Sequence, residues 1–479
     1  MRKAIVLGLT VLGLMGLAGC NKKPENNPEK ETGFVSEDYY QGNTSKYMPE
    51  AMMVTEKGYY YYSEEYRGFR YFDNATGKEM YLCNKPECKH DGNAFCAATN
   101  DRYAVLDCCL YSNHILAYVI EVTDTQQLFK VLSIAVDGSE LSEVATVMAL
   151  ERTMEKDPMV GGRFYVHRNR VLLTMWSKGE EKLVDMNRYG TALLNLDTGE
   201  VSYLDEQAMA AENQELTDVK GYGDYFWFCR LGGGKGKTKI VHRYHITEGT
   251  EESFSFLLGF TGDYVIVDEN RIAYLRKDKD VLCVHRCDTG ENEEIRFVTR
   301  RIYQYGEDGT VETERFVQKG LSEEEIRRLQ ENKEFIGVLT RPKEYRIGNY
   351  PMAVMADEEY VYVPMSRRHI VLSDDLTFSF CRNDYGWIRV FDRDLNEIAQ
   401  IDVLSALEAA KPEGVEWNAE YCTVNMRYMG EKIYFEMQSK ENKSEWYVFQ
   451  CDREGFLEEE PEFTFVYRMS REQKGQAMY

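Results

Sequence analysis

Short apolar and aromatic runs, many of them alternating with polar positions, recur along the chain at residues 58–62, 113–120, 169–176, 223–229, 270–275, 357–363 and 430–437. Each opens on Gly, Asn or Asp. Runs this short, bounded by turn-forming residues and rich in Tyr, Val, Ile and Phe, predict β-strands rather than helices. Each is followed by a second run ending in a turn. These turns are Asp73-Asn74-Ala75-Thr76-Gly77, Asp137-Gly138, Asp197-Thr198-Gly199, Thr247-Glu248-Gly249, Asp288-Thr289-Gly290, Asp392, and Asp452-Arg453-Glu454-Gly455. An Asp carboxylate caps its own turn, and Gly accepts the positive φ that such turns demand. A further alternating run follows most of them, as at 200–204 and 291–297.

The unit is therefore strand, turn, strand, polar turn, strand, recurring about every 60 residues with one wide gap. Repeats on this scale predict an all-β chain folded as a seven-bladed β-propeller over residues 48–470, in which each thin sheet hides its faces against its neighbours. The 34 Tyr and 22 Phe suit that packing as strand formers, with a carbohydrate platform as the sharper alternative. Residues 34–40 could add a strand to the last blade. The wide gap is an insertion at 299–350: a hairpin, 300–305 and 311–316 about Gly306-Glu307-Asp308-Gly309, then a short helix. Ser322 with Glu325 makes a capping box for it, and Ile326 and Leu329 a narrow apolar stripe. Such a decoration serves as a lid or docking element, or covers a sheet edge.

Residues 1–19 have a different pattern: Arg2 and Lys3, an apolar stretch, then Leu17-Ala18-Gly19 before Cys20. That order is a secretory signal, too short and glycine-rich to span a bilayer. The Leu-Ala-Gly-Cys quartet resembles the bacterial lipobox, which implies cleavage before Cys20 and acylation of its thiol. Several acyl chains, palmitate among them, make a stable membrane anchor. Residues 20–47 then read as a tether that holds the domain roughly 30 Å from the lipid. A tail, 471–479, ends the chain. With 81 acidic against 58 basic residues and a net charge of -23, the surface is unsuited to nucleic-acid phosphates or to lying flat on anionic lipid.

Cys83, Cys88, His90 and Cys96 place three sulfurs and an imidazole on the loop after the first unit. A Cys3His set suits zinc. In an exported protein the competing reading is a disulfide of Cys83 or Cys88 with Cys96, Cys108 or Cys109, and free thiols in a reducing niche are a third. Twelve cysteines less Cys20 leave an odd number, which cannot all pair within the chain. Cys283, His285 and Cys287 share one strand face, where packing is the simpler reading. Residues 232–238, GGGKGKT, miss the phosphate-loop pattern because Leu231 stands where Gly is needed. No nucleophile elbow, His-Glu-x-x-His or calcium loop is present, and the acidic pairs Glu358-Glu359 and Asp374-Asp375 are what an acidic chain produces by chance.

The lipobox, the CNKPECKH stretch at 83–90 and the blade-like units together resemble uncharacterised β-propeller lipoproteins of Gram-positive gut anaerobes. The resemblance covers nearly the whole chain and implies an extracytoplasmic, lipid-anchored protein; it carries no activity with it. A non-enzymatic propeller that binds a surface ligand, glycan or protein is the expectation, its site at a channel mouth near 299–350. The alternative is a carbohydrate-active hydrolase or lyase whose acids meet only in space.

Overall fold

The computed structural model describes residues 53–470 apart from 56, 64–66, 93–95, 100, 153–159, 179–186, 206–213, 232–239, 256–259, 277–280, 297–300, 306–310, 317–343, 352–353, 358, 373–378, 416–424, 430–431, 439–444 and 459. The signal segment, Cys20, the tether, residues 34–40, the GGGKGKT loop, the insertion helix and the tail 471–479 lie outside the described residues.

Seven antiparallel sheets follow one another along the chain, within residues 53–81, 103–151, 160–203, 215–255, 260–296, 301–402 and 425–470. All but the sixth are four-stranded meanders in strict chain order. Six of the seven predicted runs become the second strand of a sheet, Gly58–Ser63, His114–Val122, Arg170–Lys178, Tyr225–Leu231, Arg271–Arg276 and Lys432–Gln438, and the seventh becomes Tyr360–Leu372, a central strand of the sixth sheet. The polar turns join third strands to fourth. Asp73 Oδ1 accepts from the N–H of Ala75 and Thr76 at 2.8 and 3.0 Å, and Asp137 Oδ1 from Ser139 at 2.9 Å.

The first strands carry no comparable sequence signal. In Tyr103–Tyr111, Glu215–Tyr222 and Phe260–Asp268 the pairing register shifts in mid-strand, so a bulge breaks the alternation. These strands and Val160–His167 approach one another from sheet to sheet, which places them at the centre of the ring.

The ring is held by seven apolar seams, one between each consecutive pair of sheets. Because side chains alternate across a strand, one strand serves two seams. In His114–Val122, Ile115, Ala117 and Val119 pack toward the first sheet while Leu116, Tyr118 and Ile120 pack toward the third. Likewise Tyr264 and Ile266 face the fourth sheet, and Val265 and Val267 the sixth. Helix α1, Val403–Ala409, is capped by Asp402, whose carboxylate accepts from Ser405 N at 3.0 Å. It drops Val403 and Leu407 into the seam between sheets six and seven. The ring closes where Tyr59 and Tyr61 of the first sheet meet Tyr434, Trp446 and Val448 of the last. The protein is a seven-bladed β-propeller.

The sixth sheet is larger because its central hairpin is long. Tyr360–Leu372 pairs with Ser379–Asp392 from Tyr360↔Asp392 to Leu372↔Ser379. The far half of Tyr360–Leu372 pairs with Glu344–Pro351, whose own beginning pairs with Arg301–Tyr305, and that strand pairs with Val311–Phe316. The predicted insertion hairpin is thus a continuation of the sixth sheet.

Candidate metal centre and binding face

The fourth strand of the first sheet, Lys78–Tyr81, is only four residues long. The chain then leaves the sheet and returns at Ala98 and Thr99, where Ala98 O accepts from Phe69 N at 2.7 Å and Gly68 bridges Thr99. Gly68 permits that return, since a Cβ there would stand 2.5 Å from Ala98 O. The excursion between the two halves is the cysteine loop. It leans on the second sheet: Asn84 N donates to Gly138 O at 3.4 Å, and Gly138 lies so close that a Cβ on it would come within 2.7 Å of the Cys83 backbone.

Within that loop one ligand atom each from Cys83, Cys88, His90 and Cys96 lies within 4.8 Å of the other three. All four residues named from sequence spacing meet at one point. His90 Nδ1 faces Cys96 Sγ at 3.5 Å. With Zn–S near 2.3 Å and Zn–N near 2.05 Å, a tetrahedral ion would set that edge at about 3.6 Å. Cys96 is fully buried, and its sulfur accepts from both the N–H and the hydroxyl of Thr99, each at 3.3 Å. Burial pushes the Cys96 thiol up from its ordinary range, and the two Thr99 hydrogen bonds pull against it. The His90 ring stacks on Tyr81 with centroids 4.6 Å apart, and the Arg70 guanidinium stands 4.3 Å from the Tyr81 ring centroid. The structure joins Cys83, Cys96 and Cys108 by no disulfide bond.

Spacing revealed the four donors but not their supports. Tyr81, two residues before Cys83, and Thr99, three past Cys96, are local to the loop, whereas Arg70 and Gly138 come from another strand and a turn of the second sheet. Cys283 and Cys287 belong to the seam between the fourth and fifth sheets, where burial pushes Cys287 up to about 12. The buried His285 places Nδ1 3.1 Å from Asn292 Oδ1. That strand face is core. Among the acids, Asp357 is fully buried and accepts from Glu359 N, Tyr360 N and the Tyr362 hydroxyl at 2.8, 2.8 and 2.5 Å, the work of a turn cap. Glu359 pairs with Arg453 at 2.9 Å, while Glu358, Asp374 and Asp375 lie outside the described residues.

No protein-family model and no curated protein matches the chain. Among solved structures, the β-propeller domain of the Trilobed protease from Pyrococcus furiosus aligns at 10% identity and a TM-score of 0.35, covering 74% of this chain and 84% of that one. Prolyl oligopeptidase B from Galerina marginata aligns at 9% identity and a TM-score of 0.44, covering 90% of this chain and 52% of that one. A europium-containing methanol dehydrogenase aligns at 10% identity and a TM-score of 0.35, covering 88% and 79%.

Proposed function

We propose that the chain is an extracytoplasmic lipoprotein anchored through Cys20, and that its propeller is a binding scaffold that presents the sixth-sheet extension to a surface glycan or protein. One observation carries the binding reading. Among the described residues six sheets are plain four-stranded meanders, whereas the sixth bears three more strands, Arg301–Tyr305, Val311–Phe316 and Glu344–Pro351. Among the described residues, the sixth sheet's share of the two seams comes from 354–407. Structure beyond what the scaffold needs is where recognition is placed on rigid folds. The acidic surface and the lipobox support a position outside the membrane, with the ring carried on a solvated tether.

Replacing residues 299–341 by a Gly-Ser linker, with Glu344–Pro351 retained, tests the binding face. The variant melts at the wild-type temperature and no longer binds the members of a glycan and cell-wall panel that the wild type captures. Unchanged capture contradicts the assignment, and turnover of any panel member by the wild type selects the hydrolase or lyase instead. Cys20→Ser abolishes incorporation of a labelled fatty acid and releases the protein from the membrane fraction; continued labelling contradicts the anchor.

A further inference from the structure

We infer that the first blade is completed by one tetrahedral zinc ion held by the Sγ atoms of Cys83, Cys88 and Cys96 and by His90 Nδ1, acting as a structural clasp across the seam between the first and second sheets. Four donors from a fourteen-residue stretch converge within 4.8 Å. A disulfide needs two sulfurs, not three with an imidazole facing them. The one edge fixed by a measured contact, 3.5 Å from His90 to Cys96, equals the tetrahedral value within 0.1 Å. Thiolate sulfur and imidazole nitrogen select zinc over the hard cations, and four protein ligands leave no open position for water or substrate, so the site is structural.

The surroundings fit a ligand shell. Thr99 directs two donors at the Cys96 sulfur, as second-shell groups do for zinc thiolates, and its hydroxyl also accepts from Gly92 N at 3.3 Å. His90 sits at φ +53, a left-handed conformation that a non-glycine residue keeps only where the surroundings impose it. Here it aims the ring between Tyr81 and Cys96. The seam gives the ion its task. Cys83, Cys88 and Cys96 line the apolar cluster that joins the first sheet to the second, yet among the described residues the intervening loop contributes no ladder of its own between Tyr81 and the Gly68 to Thr99 bridge. Ligation closes that gap. The step is exchange without oxidation: Zn2+ enters, the three thiols release protons to solvent and the imidazole binds neutral.

The test uses the full chain purified anaerobically, with neither chelator nor added reductant. Elemental analysis finds one zinc per chain. Replacement by Co2+ gives the intense visible d–d bands of a tetrahedral ion and a thiolate charge-transfer band in the near ultraviolet. Cys88→Ser lowers zinc affinity at least tenfold, whereas His90→Cys, which supplies a fourth sulfur, retains stoichiometric metal and shifts the cobalt bands. The cobalt spectrum of the wild type needs no variant to fold. Substoichiometric zinc, an octahedral cobalt spectrum, a disulfide among Cys83, Cys88 and Cys96 in the isolated protein, or unaltered zinc binding by Cys88→Ser would each overturn the assignment.

Discussion

The first and second sheets solve one packing problem with different materials. The second has strands of 9, 9, 10 and 11 residues, and its Ile115 to Ile120 segment fills two seams with side chains no more than 5% exposed. The first has strands of 3, 6, 6 and 4 residues, and tyrosines do much of its packing. Tyr59 and Tyr61 face the last sheet, and Tyr60 faces the second. Where the ladder is long, burial at about 25 cal/mol per Å2 does most of the holding. Where the edge strand is broken, side-chain ties take over. The cysteine loop is tied at its beginning by Gly138 and at its exit by Arg102, which pairs with Glu121 of the second sheet.

The largest effect comes from an ion-paired network inside the second sheet, to which Arg102 also reaches. Lys130 pairs with the buried Glu121 at 2.7 Å and with Glu143 at 2.8 Å. Lys130→Met removes one of the two cations paired with the buried Glu121; with Arg102 still in place the loss sits near or below the lower end of the roughly 3 to 5 kcal/mol that breaking a buried ion pair costs in denaturant unfolding. Burial raises the Glu121 carboxyl, but the Lys130 and Arg102 hydrogen bonds overcome it and hold the group below its ordinary range. Its contribution is therefore present above the ordinary carboxylate range and lost as pH falls. In Lys130→Met the acid-unfolding midpoint moves to higher pH.

A pair of glycines sharpens the contrast at intermediate size. Gly77 and Gly138 occupy corresponding turns of the two sheets, at φ +64 and +70. A Cβ at Gly77 meets nothing within 4 Å, so Gly77→Ala costs about 1 kcal/mol of left-handed strain. A Cβ at Gly138 strikes the Cys83 backbone at 2.7 Å, and Gly138→Ala adds roughly 1 to 3 kcal/mol of overpacking. Equal losses in parallel urea titrations would mean that the loop is not seated on the second sheet.

The smallest effect lies away from both regions. In the fourth sheet Glu251 is lowered to about 2: burial pushes it up, and His242 and Arg230 more than offset that. Its stabilisation is complete above about pH 4.5 and disappears as pH falls toward 2. For this half-exposed group it amounts to roughly 1 kcal/mol or less. Glu251→Gln flattens the stability profile over that window and leaves both the first and second sheets unchanged.

The second strands and polar turns were legible because an unbroken alternation and an Asp or Gly at a fixed place are local signals. The innermost strands were not, because bulges such as those at Val105/Asp107 and Thr217/Lys220 scramble the period. Helix α1 escaped notice too, being a capped helix of about two turns whose apolar pair, Val403 and Leu407, is too short a stripe to read. The four metal donors stand close enough in sequence to be named together. Their remoter supports, Arg70 and the turn at Gly138, are brought near only by folding.

Amide hydrogen exchange of the full chain, with and without a zinc chelator, compares the two sheets most directly. The account predicts that chelation strips protection from residues 68–72 and 96–99 while 115–120 and 128–134 exchange as slowly as before. Identical protection in the two samples, or a loss spread evenly across both sheets, would contradict it.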